Sequence, residues 1–240
     1  MDALSWWHAA KDSLQRFVLP YRCLLCGGEG ADTIDLCRDC AAELPRNQRC
    51  CARCALPLAE SAALCGQCQR RPPPWDAAWV PFRYAWPLDR LETRFKFGAD
   101  LAAGRVLSTL WLRELPWAAR PDLIVPVPLH PRRLRVRGHN QALELARPLA
   151  RAMDVPLQIA WLSRERGTAA QTELGAVARR RNVRRAFGVK AGVAWPGHVV
   201  LLDDVMTTGS TLGECSRVLR RAGVRRIDVW ALARAPVTHR

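Results

Sequence analysis

Val199-Val200-Leu201-Leu202-Asp203-Asp204-Val205-Met206-Thr207-Thr208-Gly209-Ser210-Thr211 is the stretch on which the fold turns. Four apolar residues in a row predict a strand buried on both faces. Two carboxylates follow at its carboxyl end, then a short loop of hydroxyl residues around one glycine. From Leu212 the spacing becomes helical, through Cys215, Val218, Leu219 and Ala222, and Gly223 stops it. Strand, acidic pair, hydroxyl–glycine loop and helix, in that order, build a phosphate site at the carboxyl edge of a doubly wound sheet. The backbone N–H groups of Thr208 to Thr211 are expected to face an anion, whose charge the helix N-terminus favours. Carboxylates repel such an anion and need a separate purpose, which gripping ribose hydroxyls supplies.

These thirteen residues resemble the signature with which type I phosphoribosyltransferases bind phosphoribosyl pyrophosphate (PRPP). An apolar run ending in Asp-Asp also describes the Walker B strand of an ATPase, but the chain has no G-x-x-x-x-G-K-[ST] to accompany it. A buried strand entering a helix through a hydroxyl-rich turn accounts for Gly209 and leaves the two adjacent carboxylates unexplained.

Eight of the ten cysteines form four C-x-x-C pairs: Cys23/Cys26, Cys37/Cys40, Cys51/Cys54 and Cys65/Cys68. Each pair recurs 28 residues later, so the unit C-x2-C-x10-C-x2-C is duplicated. A two-residue gap lets both thiolates reach one tetrahedral zinc, and four thiolates close a structural site. Two zinc ions are expected, supplying folding energy to segments with few large apolar residues. Redox C-x-x-C motifs occur singly in βαβ units, and disulfides require export, for which no signal segment is present. The spacing leaves open whether each unit closes on itself or the two interleave. The period selects Cys51 over Cys50, and Cys215 reads as core. Residues 20–75 hold seven basic and six acidic side chains, so the thiolates make this module neutral or acidic. A scaffold or protein-contact role suits it better than gripping nucleic acid.

With 240 residues, 49% hydrophobic and 25% charged, the chain is globular. No apolar run is long enough to span a membrane, which with the missing signal segment predicts a cytoplasmic protein. Leu4, Trp7, Leu14, Phe17 and Val18 outline an amphipathic N-terminal helix over residues 1–19, docked on the protein or, alternatively, on a membrane surface. The net charge of +15 is uneven: residues 120–240 carry 22 basic and 9 acidic side chains. That excess suits a polyanion, pyrophosphate or nucleic acid. All but three of the 37 basic residues are arginine, an imbalance that base composition of the genome also produces.

Arg70-Arg71-Pro72-Pro73-Pro74 marks a stiff boundary between the zinc module (20–71) and the remainder (76–240). A strand is expected from Ala77 to Ala85, and helices over 88–97 and 101–112. A further strand spans Pro121 to Leu129, ended by Pro126 and Pro128. Arg132 to Gln141 reads as an arginine-rich loop and Gln141 to Met153 as a helix. Leu157 to Leu162 is a short strand, Ser163 to Ala186 a polar, basic excursion, and Arg226 to Ala233 the last strand.

The order of motifs is similar to that of the ComF family, ComFC and GntX types, over nearly the whole chain. Paired C-x-x-C units come first, then Phe95-Lys96-Phe97-Gly98, Pro126-Val127-Pro128-Leu129 and Arg137-Gly138-His139-Asn140-Gln141. Arg164, Gln171, Arg181-Asn182 and Phe187 follow, ahead of the phosphate loop. Relatives often place an aromatic where His139 stands, and the histidine reads as a local substitution. The resemblance implies an α/β, doubly wound parallel sheet of the type I phosphoribosyltransferase kind behind a double zinc-ribbon-like module. It implies that Asp203 and Asp204 hold the ribose 2′- and 3′-hydroxyls and that Thr207, Thr208, Gly209, Ser210 and Thr211 hold the 5′-phosphate. Mg²⁺ would accompany the pyrophosphate, with Arg132, Arg133, Arg137, Arg164 and Arg181 as pyrophosphate or lid residues. Implied partners are PRPP, single-stranded DNA and other DNA-uptake proteins, the last through the zinc module. A transferase with an unknown acceptor and an accessory protein that binds DNA or senses PRPP without turnover both remain open.

Overall fold

The computed structural model describes residues 20–31, 33–59, 63–98, 100–115, 120–166 and 185–236. The helix expected over residues 1–19, and Gln171, Arg179, Arg180, Arg181 and Asn182, lie outside them. Strands β1 (Ala77–Trp79), β2 (Phe82–Arg83), β3 (Leu123–Pro126), β6 (His198–Met206) and β7 (Arg226–Arg234) form one parallel sheet. Its order is β1–β7–β6–β3, and β2 extends the β1 edge of β7. The strand expected over Ala77–Ala85 is therefore two. Pro81 has no N–H for the ladder, and its carbonyl accepts the Asn47 N–H at 2.7 Å.

β6 lies between β3 and β7, in register through Leu123↔Val199 and Val200↔Asp228, and its apolar run is fully buried. Its side chains alternate between two cores. Val200 and Leu202 join Ile124, Trp230 and Leu232 beneath α3 (Leu88–Phe97), α4 (Leu101–Arg113) and α6 (Gln141–Met153). Val199 and Leu201 join Val125, Val229 and Ala231 beneath α7 (Ser210–Arg221). Asp203 and Asp204 lie within β6 rather than beyond it, and α7 begins two residues before the apolar periodicity does.

Two segments differ from expectation. The arginine loop contains a helix, α5 (Pro131–Arg137): the His130 ring accepts the Arg132 N–H at 3.2 Å, Pro131 opens the helix, and Gly138 closes it at φ 78°. Leu157 contributes one bridge to Ile124 and no strand. The Gln158 side chain takes the Ala160 N–H at 2.8 Å and turns the chain, so pairing resumes only in β4 (Leu162–Arg164), antiparallel to β5 (Phe187–Val189).

The cysteine module, with short helices α1 (Arg38–Ala42) and α2 (Gly66–Arg70), is packed onto the sheet rather than hung from a linker. Cys23, Ile34, Leu36 and Leu44 enter the first core; Ala55 and Trp75 enter the second. No helix among the described residues is long and apolar enough to cross a membrane.

Candidate functional site

The two units of the cysteine repeat each close on themselves. Cys23, Cys26, Cys37 and Cys40 gather their sulfurs within 4.8 Å of one another, and so do Cys51, Cys54, Cys65 and Cys68. Zn–S bonds near 2.3 Å give a tetrahedron with S···S edges of about 3.8 Å. The Cys26–Cys37 and Cys54–Cys65 sulfurs are each 3.7 Å apart, so the donor set fits the ion. Backbone N–H groups already serve the thiolate form: Cys40 donates to Cys37 Sγ at 3.4 Å and Cys65 to Cys51 Sγ at 3.3 Å. Burial alone would raise the Cys23 and Cys51 thiols, but backbone donors outweigh it and bring them down to about 6 and about 7. Cys50 is in neither cluster, and Cys215 lies fully buried on the inner face of α7.

At the carboxyl edge of the sheet, a cavity of about 520 Å³ is lined by Asp203, Asp204, Thr207 and Thr211 together with Arg132, Arg133, Arg137 and Arg164. The apolar run of β6 fixes the two aspartates, and α5 presents three of the arginines across from them. Arg164 comes from β4, buried, with its guanidinium 5.4 Å over the Phe187 ring. Burial and then Arg133 lower the Arg164 guanidinium from its usual value, and burial and Arg137 do the same to Arg133. Mutually repelling cations around a cavity are relieved by an anion placed among them.

Lys96 is the residue that the sequence reading did not assign. Its ammonium lies 3.0 Å from Asp204 Oδ2 and 3.0 Å from the fully buried Glu92, on the same face of α3. Burial would push Asp204 up, but the Lys96 charge outweighs it and holds the carboxyl below its usual range. Burial and the neighbouring Asp204 carboxylate push Asp203 well above that range. Burial also lifts Glu92 to about 7, against the pull of Lys96. The two neighbouring acids are thus pushed in opposite directions, Asp204 down and Asp203 up. A signal was present in the sequence, because Lys96 is one of only three lysines among 37 basic residues.

Thr208, Gly209 and Ser210 face a second cavity of about 790 Å³, beside Trp75, Arg185 and Arg217, rather than the one that holds the aspartates. The Thr208 and Ser210 hydroxyls bond at 2.7 Å. Gly209, at φ 69°, is the N-cap of α7 and brings no capping side chain, and the Ser210 N–H turns back to the Thr208 hydroxyl at 3.4 Å. A Cβ on Gly209 would also stand 2.9 Å from the Trp75 ring. His139 packs its ring 5.1 Å from Phe95 and belongs to the packing under α6. Asn140 caps α6 and donates to the Val127 carbonyl at 3.1 Å, fixing the cavity floor.

Comparison with known proteins matches both parts. Residues 14–69 fit the family model of the double zinc ribbon domain, and residues 139–239 that of the phosphoribosyl transferase domain. The chain is 37% identical over 205 residues to DNA utilization protein YhgH of Escherichia coli K12, covering 83% of this chain and 90% of that one. It is 37% identical over 224 residues to Competence protein F of Haemophilus influenzae, covering 90% and 97%. Among solved structures it is similar to a purine phosphoribosyltransferase of Pyrococcus horikoshii, at 19% identity and TM-score 0.34 over 57% of this chain and 76% of that one. With both modules matched in order and full-length relatives at this identity, the chain belongs to the ComF family, in which a double zinc ribbon precedes a phosphoribosyltransferase-like domain.

Proposed function

We propose that this protein binds PRPP with Mg²⁺ at the carboxyl edge of its sheet and serves DNA uptake or DNA use. One observation carries the reading: a single cavity gathers the acidic pair, Thr207 and Thr211 of the loop, and four arginines. Asp203 and Asp204 hold the ribose 2′- and 3′-hydroxyls, a role for which adjacent carboxyl groups provide several acceptor oxygens. Thr207 and Thr211, which line that cavity, hold the 5′-phosphate at the start of α7, and Thr208, Gly209 and Ser210 shape the loop between them. Arg132, Arg133, Arg137 and Arg164 neutralise the pyrophosphate, and Lys96 keeps Asp204 ionised. Mg²⁺ would neutralise pyrophosphate charge. Two carboxylates suit an ion that arrives with its phosphates rather than one caged by protein. Phosphoribosyl transfer leaves negative charge on departing pyrophosphate, which these cations are placed to stabilise. Tyr84, Phe97, Val127, Leu129 and Val136 also line the cavity and give it apolar surface, on which an acceptor would rest. The DNA partner, as a single strand, rests on the charge of residues 120–240 and on the names of the relatives. Other DNA-uptake proteins are the partners assigned to the zinc module. A cytoplasmic location belongs to the same proposal.

PRPP with Mg²⁺ is expected to stabilise the protein by about 2.7 kcal/mol at a hundredfold excess over Kd, read as a raised Tm. No shift at millimolar PRPP would overturn the reading. Release of pyrophosphate with candidate acceptors then separates a transferase from a PRPP-sensing accessory protein.

A further inference from the structure

Arg234 ends β7 with only 4% of its surface exposed. Its Nε donates to the Cys54 carbonyl at 2.9 Å. Its Nη1 donates to the carbonyls of Met206 at 3.0 Å, Ala235 at 2.7 Å, and Thr207. One guanidinium therefore joins the Cys51/Cys54 knuckle to the first residue of the phosphate loop. No carboxylate among the described residues stands at ion-pair distance from it. A buried cation without a counter-ion is costly, and carbonyl dipoles offset only part of that cost. The remaining compensation lies in the cluster it touches. Four thiolates around one Zn²⁺ carry a net charge of about −2, and Cys54, Cys65 and Cys68 act on the guanidinium electrostatically.

A second brace runs beside the first. Arg53, between the two thiols of the same knuckle, donates to the Trp75 carbonyl at 2.7 Å, and the Trp75 indole donates back to the Arg53 carbonyl. Trp75 is buried, and its ring lies against Gly209 so closely that a Cβ there would meet it. The first knuckle is fastened elsewhere: Arg94 donates to the Leu24 carbonyl at 2.9 Å, and Cys23 packs with α3 and α4. The two metal sites of the repeat are equivalent in sequence and unequal in what they support.

We propose that Arg234 is a positioning residue that couples the metal site of Cys51, Cys54, Cys65 and Cys68 to the phosphate loop, so that metal held there sets the loop's conformation and its affinity for a phosphorylated sugar. The affinity half rests on the phosphoribosyl reading of the loop; the conformational half does not. The link is reciprocal: whatever the metal does for the ligand, the ligand does for the metal.

The test compares full-length, zinc-loaded wild-type protein with Arg234→Met, Arg234→Lys and, as control, Arg94→Met, which cuts the tie to the first knuckle. Amide hydrogen exchange at residues 207–211 is expected to speed up roughly ten- to a hundredfold in Arg234→Met, the effect on local opening of losing hydrogen bonds from a charged donor. Arg234→Lys, keeping the charge but not the fork, should fall between. Arg94→Met should leave those amides unchanged. In cobalt-substituted protein, ribose 5-phosphate should shift the thiolate–cobalt absorption of the wild type and not of Arg234→Met. Wild-type exchange rates in Arg234→Met, or an equal rise in Arg94→Met, would overturn the coupling. If Arg234→Met does not fold, Arg234→Lys carries the same comparison. A wild-type protein that ignores ribose 5-phosphate and PRPP contradicts the phosphoribosyl reading, and the exchange comparison still decides the coupling.

Discussion

Lys96 shows what a single side chain does in this site. Two adjacent carboxyls and a buried Glu92 would be untenable as three negative charges, and one ammonium at 3.0 Å from both Glu92 and Asp204 makes the group stable. Asp204 is held ionised by that charge across the neutral range, so its grip on a ribose hydroxyl should not vary with pH there. In Lys96→Met the depressing charge is gone and burial raises the Asp204 pKa. PRPP affinity should then fall as the pH is lowered and recover as it is raised, since the carboxylate returns only above its new, higher pKa. A loss of equal size at every pH would show that Lys96 acts on the ligand and not through Asp204. The acids were readable from the sequence because no structural purpose explains two of them side by side. The lysine's role was not, because it comes from a helix about a hundred residues earlier; its rarity in an arginine-rich chain and its place in the Phe95-Lys96-Phe97-Gly98 motif marked the residue without pairing it with Asp204.

Among the elements, β6, α6 and α7 were legible because their apolar periodicity is strong and their ends carry Asn140, Gly209 and Gly223. α5 was missed because four arginines in seven residues hide a helical pattern whose ends, Pro131 and Gly138, did announce it. The pairing of the cysteines was beyond the sequence, since a repeat of identical units fits closed or interleaved sites equally well, and only the assembled knuckles decide it. Metal analysis should find two zinc ions per chain. Structural zinc contributes on the order of 10 kcal/mol or more in small domains. Chelation, or Cys54→Ser, should accordingly leave a chain that melts without a cooperative transition. Well-folded protein free of zinc would contradict this.

For the whole molecule, the doubly wound sheet followed from hydrophobic patterning and the site at its carboxyl edge from the acidic pair and the hydroxyl–glycine loop, while the seating of the ribbons on that sheet did not. The proline run after Arg71 reads as a spacer, yet Arg220 donates to the Pro74 carbonyl at 3.3 Å and pairs with Asp76, pinning the run to α7. Charge is the other global property. Single-stranded DNA should bind with an affinity whose log–log salt slope is near −0.7 per phosphate contacted, so about four to six contacts cost tens- to several-hundredfold between 50 and 200 mM salt. Replacing Arg132, Arg133, Arg135 and Arg137 together should flatten that slope by roughly 0.7 for each one on a phosphate. DNA and PRPP should compete, because three of these arginines line the cavity that holds the acids. Absence of binding at low salt would reduce the arginines to surface charge. The most direct measurement of the central claim is a calorimetric titration of PRPP with Mg²⁺ into wild-type protein and into Asp203→Ala/Asp204→Ala, with both shown to hold two zinc ions and to melt cooperatively. One PRPP per wild-type chain and no heat with the double variant is the predicted result; equal affinity in the two would contradict the claim that the acidic pair holds the ribose.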